Sequence, residues 1–573
     1  MKISEVKIEK FRSIKKASFR MKDITAVVGE NNAGKTGVLR ALNAVLNFEA
    51  EEKDFVNKSH RYLPRSNTKI VIVFTDVPNK KIYENRTHNG KLTLNFLYNY
   101  NENRKKFSIT NGRDTENVDD FFMEELAKDI MYVYIPASRN NNDVGWNDDS
   151  IFKRLIIDYT AKYTKNRDNI SNHVRSATDK IHEYVLKKLE KEINELYMQN
   201  KDVDFEISFP DNLDYTVLLG NIELSLNESK SKHLLKDWGS GTKSLAVIAM
   251  HRANALLKNG SIVLGIEEPE TNLHPQAQKR FIMSLRNKRH LNETQSIFTT
   301  HSTALVDELD HEDIVLVRRR KDSKKGYISN VTQLSKDFWE KYGIEKFKHY
   351  QYFGYKNSDF FFSKYVVIGE SKNDCQVFEK LVSPKIGDKI ADVSFLDAGG
   401  VENIKYPFFL LKELDIPFSI VVDRDLFFEY LNNNNLNDSR DNNGLPIYGE
   451  IIKNEEVLNH LFKEDKKSKL INLHKNGYRK FFDYIKNFGI VSMNYCLEMD
   501  LSCSSKAREE YYKILKLTPD NQNQKYLLEK NYNSIKKIKN IMEILNNIPY
   551  VSYPESYKKI RNYLTEEINK YIN

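Results

Sequence analysis

At 573 residues with 40% hydrophobic content, the chain is long enough for several domains and a large core, and its 29% charged residues suit a water-exposed surface. A net charge of +9 permits nucleic-acid binding without demanding it, and no apolar run approaches the length of a bilayer span. The opening MKISEVKIEKF lacks the apolar stretch of a signal peptide, and the three cysteines (Cys375, Cys496, Cys503) form no paired or zinc-binding spacing, so a cytoplasmic protein without a membrane partner is expected.

The apolar stretch Ile24–Val28 runs into GENNAGKT at 29–36, and helical spacing follows at Val38, Leu39, Leu42, Val45 and Leu46. A glycine-rich loop between a buried strand and a helix is the setting of a P-loop. Backbone N–H groups around Gly29, Asn31, Asn32 and Gly34 would cradle phosphates, Lys35 would reach the β- and γ-phosphates, and Thr36 would ligate Mg²⁺. Half-buried strands are predicted at 69–74, 92–97 and 131–136. From 151 to about 200 there is no proline or glycine, and Ile181, Val185, Leu189 and Ile193 keep helical spacing. This predicts a helical insertion suited to a packed dimerisation pair, with a solvated lever as the plainer use.

Ser240 and Gly241, in the segment Trp238-Gly239-Ser240-Gly241-Thr242-Lys243, open a further helix and make a second anion site. An apolar strand at 261–266 ends in Glu267-Glu268-Pro269-Glu270. Glu267 is placed to hold Mg²⁺ through water and Glu268 to polarise an attacking water. A strand at 296–299 then delivers His301, in the position of a γ-phosphate sensor. The basic run Arg318-Arg319-Arg320-Lys321, with Lys324 and Lys325, follows an apolar strand end at 314–317. It reads as a solvated face or as a hairpin that follows a phosphate backbone.

An aromatic-rich helical connector at about 335–361 leads into alternating strands and helices. Strands are predicted at 365–368, 393–396 and 418–422, with helices at 374–381 and from Gly399-Gly400 to about Leu414. This is a βαβαβ unit on a parallel sheet. Glu370 and Asp374 follow the first strand, and Asp423 and Asp425 follow the third, at the carboxyl ends where open sheets bind ligands. Carboxylates converging there repel one another unless divalent metals neutralise them, and hard oxygen donors suit Mg²⁺ or Mn²⁺. Two such ions would stabilise the attacking and leaving oxygens of a phosphodiester displacement.

The P-loop, the Ser-Gly helix start, the acidic strand end and the histidine together resemble the ABC ATPase head of SMC-like and RecF-type proteins. That resemblance implies a homodimer or higher homo-oligomer through the heads, with Ser240 and Gly241 of one subunit meeting the nucleotide of the other. Such heads usually carry a glutamine between P-loop helix and signature. The first glutamine here is Gln199, which leaves Asp54 or a neighbour in its place and puts ATP binding ahead of rapid turnover.

The later acids resemble a Toprim domain, although Ser371 stands where that pattern normally has glycine. An ABC head followed by Toprim, carried here by Phe11-Arg12-Ser13, GENNAGKT, IEEPETNLHP, TTHS and the acids, resembles the OLD (overcoming lysogenization defect) family. That family includes the nuclease subunit of Gabija systems and retron-associated nucleases. The resemblance implies an α/β fold: an ABC-type ATPase domain over 1–345, with the helical insertion at about 151–200, and a Toprim nuclease domain with a C-terminal helical region over 346–573. It implies metal-binding catalytic acids at Glu370, Asp374, Asp423 and Asp425, joined by Glu498 and Asp500 of LEMDL. A lysine beyond them would stabilise charge on the phosphate; by position this is Lys537, with Lys536 and Lys539 beside it.

The activity implied is ATP-regulated, divalent-metal-dependent cutting of double-stranded DNA in anti-phage defence, using ATP and Mg²⁺ or Mn²⁺. A helicase subunit or retron nucleic acid is the implied partner. ATP is expected to restrain cutting, since a defence nuclease must idle in a healthy cell. The rival reading is a nucleotide-dependent DNA clamp or repair ATPase with a merely structural Toprim fold, which the intact acids oppose. A Toprim primase or topoisomerase would need a zinc, helicase or tyrosine-nucleophile module for which the chain gives no distinctive motif.

Overall fold

The computed structural model describes residues 1–139, 150–162, 164–189, 191, 219, 222, 224–228, 231–256, 260–286, 294–354, 358–432 and 434–572. It divides into two compact units. The first comprises Met1–Val27, Asn31–Glu308 and Val317–Val331; the second comprises Val28–Glu30, Leu309–Leu316 and Thr332–Asn573.

The first unit is built on a thirteen-stranded mixed sheet. Its antiparallel half starts from Lys2–Phe11, where alternation buries Ile3, Val6, Ile8 and Phe11. That strand pairs with Ile14–Arg20 on one side and with Thr68–Thr75 on the other, and Lys91–Asn99, Arg104–Asn111 and Asp114–Val118 extend the row outward. In the other half, Ser261–Glu267 lies parallel to both Ile130–Ile135 and Thr294–Thr300, and the fully buried Ile24–Val28 sits on the far side of Thr294–Thr300. Near-continuous apolar runs such as IVLGI are what a parallel strand covered on both faces requires. Helix Lys35–Leu46 packs on this half through Val38, Leu39, Leu42 and Val45. The carboxyl ends of three neighbouring strands thereby bring the P-loop, Glu267-Glu268 and His301 to one edge.

The insertion forms helices Ile151–Thr160 and Thr164–Ile181, then a π-helical turn His182–Leu186. Ile170, Ile181, Val185 and Leu189 are exposed along it, while Ile193 and Gln199 lie outside the described residues.

In the second unit, helices Phe338–Tyr342 and Lys346–Phe353 form the connector around a buried pair of imidazoles, His311 Nδ1 and His349 Nε2, 2.9 Å apart. A four-stranded parallel sheet follows, in the order Val393–Asp397, Tyr365–Gly369, Phe418–Val422, Ile490–Ser492. Three of these strands match the predicted ones to within a residue. The fourth, only three residues long, has no strand-length pattern of its own. The helix predicted at 374–381 spans Lys372–Ile386, because Ser371 caps it and Pro384 falls in its last turn. Helices between Leu497–Ser502 and Glu555–Ile572 complete the unit and bury Tyr511, Leu527, Ile544, Tyr557 and Leu564 against the sheet. No described helix is long and apolar enough to cross a membrane.

Candidate functional sites: a phosphate-binding cavity and an acidic strand edge

The edge of the first unit encloses a cavity of about 340 Å³, of the size that holds a small ligand. Asn31, Asn32, Gly34, Lys35, Thr36, Glu268 and His301 line it, together with Gly37, Arg12 and Ser13. Gly34 is compelled by both conformation and space. Its φ is 103°, and a Cβ there would lie 2.2 Å from Ser329 Oγ and 2.7 Å from Ser13 Oγ. Lys35 is buried, its Nζ lies 3.2 Å from His301 Nδ1, and His301 Nε2 lies 3.3 Å from Glu268 Oε1.

Glu270 fixes the histidine from behind, since its Oε1 accepts the backbone N–H of His301 at 2.7 Å and the Thr300 hydroxyl at 2.9 Å. Burial holds the Glu270 carboxyl above the usual range despite these bonds, and the Glu268 charge adds to that. Glu268 itself adopts φ 41°, a left-handed conformation that a non-glycine residue rarely takes. Its N–H donates to Thr299, both to the carbonyl at 3.1 Å and to Oγ1 at 3.2 Å. Glu267 accepts the Ala137 N–H at 3.4 Å through Oε2, while its Oε1 is buried without a hydrogen-bond partner. Such an orphaned acceptor on the strand that leads to the cavity-lining Glu268 fits a bound cation or its water.

Three residues here were not expected at the site: Arg139, which sequence reasoning missed, and Arg12 and Ser13, which it quoted only as a motif of the resemblance. Arg139 donates to the carbonyls of Glu267 and Glu268, the latter at 3.0 Å, and to Ser244 Oγ at 2.8 Å on helix Ser240–Leu256. It thereby ties the signature helix to the acidic strand end. Arg12 lines the cavity with Nη1 buried and unpartnered, in a backbone of φ 52°. Ser13 stands beside it. Ser240 is exposed at the helix start, and a Cβ on Gly241 would strike the Asn272 carbonyl at 2.4 Å. Neither they nor Gly29 and Glu267 line the cavity. Asp54, which the sequence offers in place of the missing glutamine, accepts from Arg40 at 3.2 Å in a network with buried Glu51 and His60, and it does not line the cavity.

Among the described residues, two groups of three offer ligand atoms within 4.8 Å of one another: Glu51, Asp54 and His60, and Glu370, Asp423 and Asp425. The first is already closed. Arg40 contacts both carboxylates, Asn43 donates to Glu51 at 2.7 Å, and His60 Nε2 lies 2.8 Å from Glu51. The second is open. Glu370 accepts the Asp423 N–H at 2.7 Å, Asp425 Oδ2 accepts the Tyr430 hydroxyl at 3.3 Å, and Asp425 Oδ1 is buried without a partner.

Burial raises the Glu370 carboxyl to about 8, against the Asp423 N–H, and the charges of Asp425 and Asp374 push it the same way. Asp423 is likewise held well above its ordinary range by burial and by the four acids around it. Arg424, between the two aspartates, does not neutralise them. Its guanidinium lies 3.8 Å from the Phe481 ring and 2.7 Å from His474 Nδ1, in an apolar pocket whose burial lowers it to about 10. A buried set of hard oxygens raised by one another's charge fits a divalent cation.

Ser371, where the pattern normally has glycine, adopts a conformation open to any residue. Its φ is −138°, so no glycine is needed, and its hydroxyl caps the following helix. Asp374 completes that capping box, with Oδ2 accepting from Ser371 N at 2.8 Å and Oγ at 2.6 Å. Asp374 is therefore beside the trio, not within it, with one oxygen committed to the cap; burial and then the charges of Glu498 and Asp397 raise its carboxyl. The Glu498 carboxylate is close enough to the Tyr532 phenol that its charge, after burial and Cys496, opposes ionisation of that ring. Asp500 is fully engaged: its two oxygens accept the N–H groups of Asn494 at 2.8 Å and Tyr495 at 2.9 Å, and burial lifts it to about 7. The Tyr495 carbonyl in turn accepts the Arg424 N–H at 2.9 Å, so Asp500 shapes the loop that seats the D-x-D. Lys537 is exposed at the N-cap of helix Ile538–Asn547, and Lys539 is exposed within it. Lys536 lies 5.5 Å from the Tyr532 ring, the phenol that the Glu498 charge acts on. Lys453, after strand Tyr448–Ile452, is a further cation that sequence reasoning missed; its charge favours ionised Glu370.

Residues 1–203 and 130–306 match the family described as AAA ATPase domain, and residues 361–425 match the Toprim domain of overcoming lysogenization defect protein-like sequences. The chain is 25% identical to an OLD nuclease of Thermus scotoductus over 74% of its own length and 82% of that protein's. It is 22% identical to Endonuclease GajA of Bacillus cereus, covering 74% of this chain and 75% of the other. With the Old nuclease of Escherichia phage P2 it shares 23% identity over 66% of this chain and 70% of that one.

Proposed function

We propose, for a chain that belongs to the AAA ATPase domain family and carries an OLD-like Toprim domain behind it, that the protein is an ATP-regulated, divalent-metal-dependent endonuclease acting on double-stranded DNA in anti-phage defence. The observation that carries this reading is the open trio Glu370, Asp423 and Asp425 at the carboxyl edge of a parallel sheet, with Asp425 Oδ1 buried and unpartnered. The names of the relatives support nuclease activity and, through GajA, a role in defence.

Glu370, Asp423 and Asp425 would hold one cation; Glu498 and the free oxygen of Asp374 are the donors for a second. A bound divalent ion supplies a Lewis acid for the scissile phosphate and a hydroxide-like nucleophile at neutral pH. Asp500 is a positioning residue, since both its oxygens are committed to backbone. The Tyr532 contact favours Lys536 over Lys537 and Lys539 for steadying charge on the phosphate, and Lys453 stands as a second cation for that task. In the first unit, Lys35 and the loop residues Gly29, Asn31, Asn32 and Gly34 would bind the ATP phosphates, Thr36 and Glu267 would hold its Mg²⁺ and Glu268 would polarise water, with His301 between Glu268 and Lys35. Ser240 and Gly241 lie off that cavity, which suits a role toward a second subunit's nucleotide. The exposed stripe Ile181, Val185, Leu189 suits a second copy as its cover. ATP can regulate cutting only through unequal affinity for two states, and restraint is the assigned direction.

The test is cleavage of supercoiled and linear duplex DNA by the purified chain, with and without Mg²⁺, Mn²⁺ and ATP. Asp423→Ala should abolish cutting and keep ATP binding. Equal cutting by that variant, or none by the parent in any of these mixtures, refutes the reading.

A further inference from the structure

The basic run after strand residue Val317 is a projecting hairpin wired to the P-loop. Strand Ile314–Asp322 is buried on both faces up to Val317, then exposed at three consecutive residues, Arg319, Arg320 and Lys321. A strand that shows solvent on both faces has left its sheet. Gly326–Thr332 returns beside it, and the turn is fixed by Asp322 Oδ1, which accepts the N–H groups of Lys324 at 2.9 Å and Lys325 at 3.0 Å. The stretch 318–325 carries six cations and one carboxylate, Asp322. The Arg319 guanidinium stacks 3.6 Å from the exposed ring of Tyr327, which holds it flat and outward.

The base of the hairpin reaches the nucleotide cavity. Ser329 Oγ lies 2.7 Å from Ser13 Oγ and donates to the Ala33 carbonyl at 2.5 Å, beside Gly34 of the P-loop. Ser329 N–H donates to the Ser13 carbonyl at 2.9 Å. Lys325 Nζ donates to the Arg12 carbonyl and lies 4.2 Å from the Tyr62 ring. Ser13 and Arg12 line the cavity, so one step separates hairpin from phosphate site.

We propose that the hairpin 318–327 grips the phosphate backbone of duplex DNA, and that the Ser13–Ser329–Ala33 link makes this grip depend on the nucleotide in the P-loop. The inference rests on the reading of the protein as acting on DNA and adds where the head meets it. Same-face cations on a strand stand roughly 6.8 Å apart, about twice the axial rise per phosphate along one DNA strand. Planar guanidinium groups fit phosphate oxygens in pairs, and a two-stranded ribbon is an established shape for lying along a duplex. A nucleotide that reseats Ala33 and Gly34 displaces Ser329, hence the hairpin. Linkage then requires DNA to change the affinity for ATP by the same factor.

The test uses the full chain with Asp423→Ala, so that DNA survives, and measures duplex binding by fluorescence anisotropy, with and without ATP and Mg²⁺, across about 50 to 200 mM salt. Removing three cations with R319A/R320A/K321A should flatten the log K against log salt slope by about 2.7 and weaken binding roughly ten- to a hundredfold. The charge-keeping R319K/R320K variant should retain the slope. Ser329→Ala should erase the ratio of DNA affinities with and without ATP that the parent shows. An unchanged slope in the triple variant, an ATP effect that survives Ser329→Ala, or no ATP effect in the parent overturns the proposal. So does competition by poly-glutamate as effective as that by DNA of equal charge. Cleavage by the wild-type chain is scored separately, and its absence would refute the nuclease reading while leaving these binding results standing.

Discussion

The buried imidazole pair of the connector makes the second unit sensitive to mild acid. His311 and His349 are almost wholly buried, packed against Trp339, Phe353 and Phe361. One ring donates to the other, and His349 Nδ1 has no partner. Burial lowers His311 to about 3 and His349 to about 2, the latter helped by its neighbour. In the unfolded chain both titrate near 6.5. Folded values below unfolded ones mean that the native state binds fewer protons. Their contribution is therefore complete above about pH 6.5 and is lost as pH falls toward the folded values.

Between about pH 7.5 and about pH 5.5 each ring gives up about 1.4 kcal/mol, so the pair gives up about 2.7 kcal/mol. Over that window the figure requires only that both rings stay neutral in the native state. Glu370 and Asp500, raised to about 8 and about 7, act in the opposite sense, losing stability as pH rises. The quantity to measure is thus a difference between proteins. Urea unfolding would be followed by the fluorescence of Trp339, 5.0 Å from the His349 ring, in a background with Trp146 and Trp238 replaced by phenylalanine. The H311L/H349L variant removes both partners at similar volume, which spares the core an orphaned polar atom. The parent should lose about 2.7 kcal/mol more than this variant between the two pH values. A difference below about 1 kcal/mol would mean that at least one ring is protonated in the native state, contrary to its burial.

Three further outcomes follow from the geometry. Asp425→Asn, which removes the charge of the unpartnered oxygen, should lower cutting roughly a hundred- to a thousandfold and abolish the rise in melting temperature that Mn²⁺ gives the parent. Gly34→Ala places a methyl 2.2 Å from Ser329 Oγ at φ 103°; it should destabilise the head by about 1–3 kcal/mol and weaken ATP binding, read by calorimetry. V185E/L189E puts charge on the exposed insertion stripe and should shift the sedimentation coefficient toward that of a monomer, whereas an unchanged value would remove this stripe as the cover of a second copy.

The strand ends were the legible part. Ile24–Val28, Tyr365–Gly369 and Phe418–Val422 are short apolar runs that stop at glycine or acid, so local pattern alone places Lys35, Glu370 and Asp423. What escaped depends on contacts between distant positions. Arg139 reaches Glu267 and Glu268 across nearly 130 residues, and nothing in its own neighbourhood announces that. Asp500 sits in an acidic motif that looks like a ligand set, yet its oxygens are taken by two N–H groups that only the fold brings round. Ser371 looked like a departure because the pattern supplies a glycine, whereas the physical need is for a helix cap that serine meets. The short strand Ile490–Ser492 borrows its conformation from Phe418–Val422 and carries too few residues to alternate.

Glu268, at φ 41°, holds a carboxylate on a backbone that glycine or asparagine would adopt more cheaply. A library screened only for survival of heating would drift to those residues at this position. The hardier proteins so obtained would have lost the group assigned to polarise water. Heat tolerance and nucleotide turnover therefore pull this position in opposite directions, and a carboxylate retained there marks selection for chemistry.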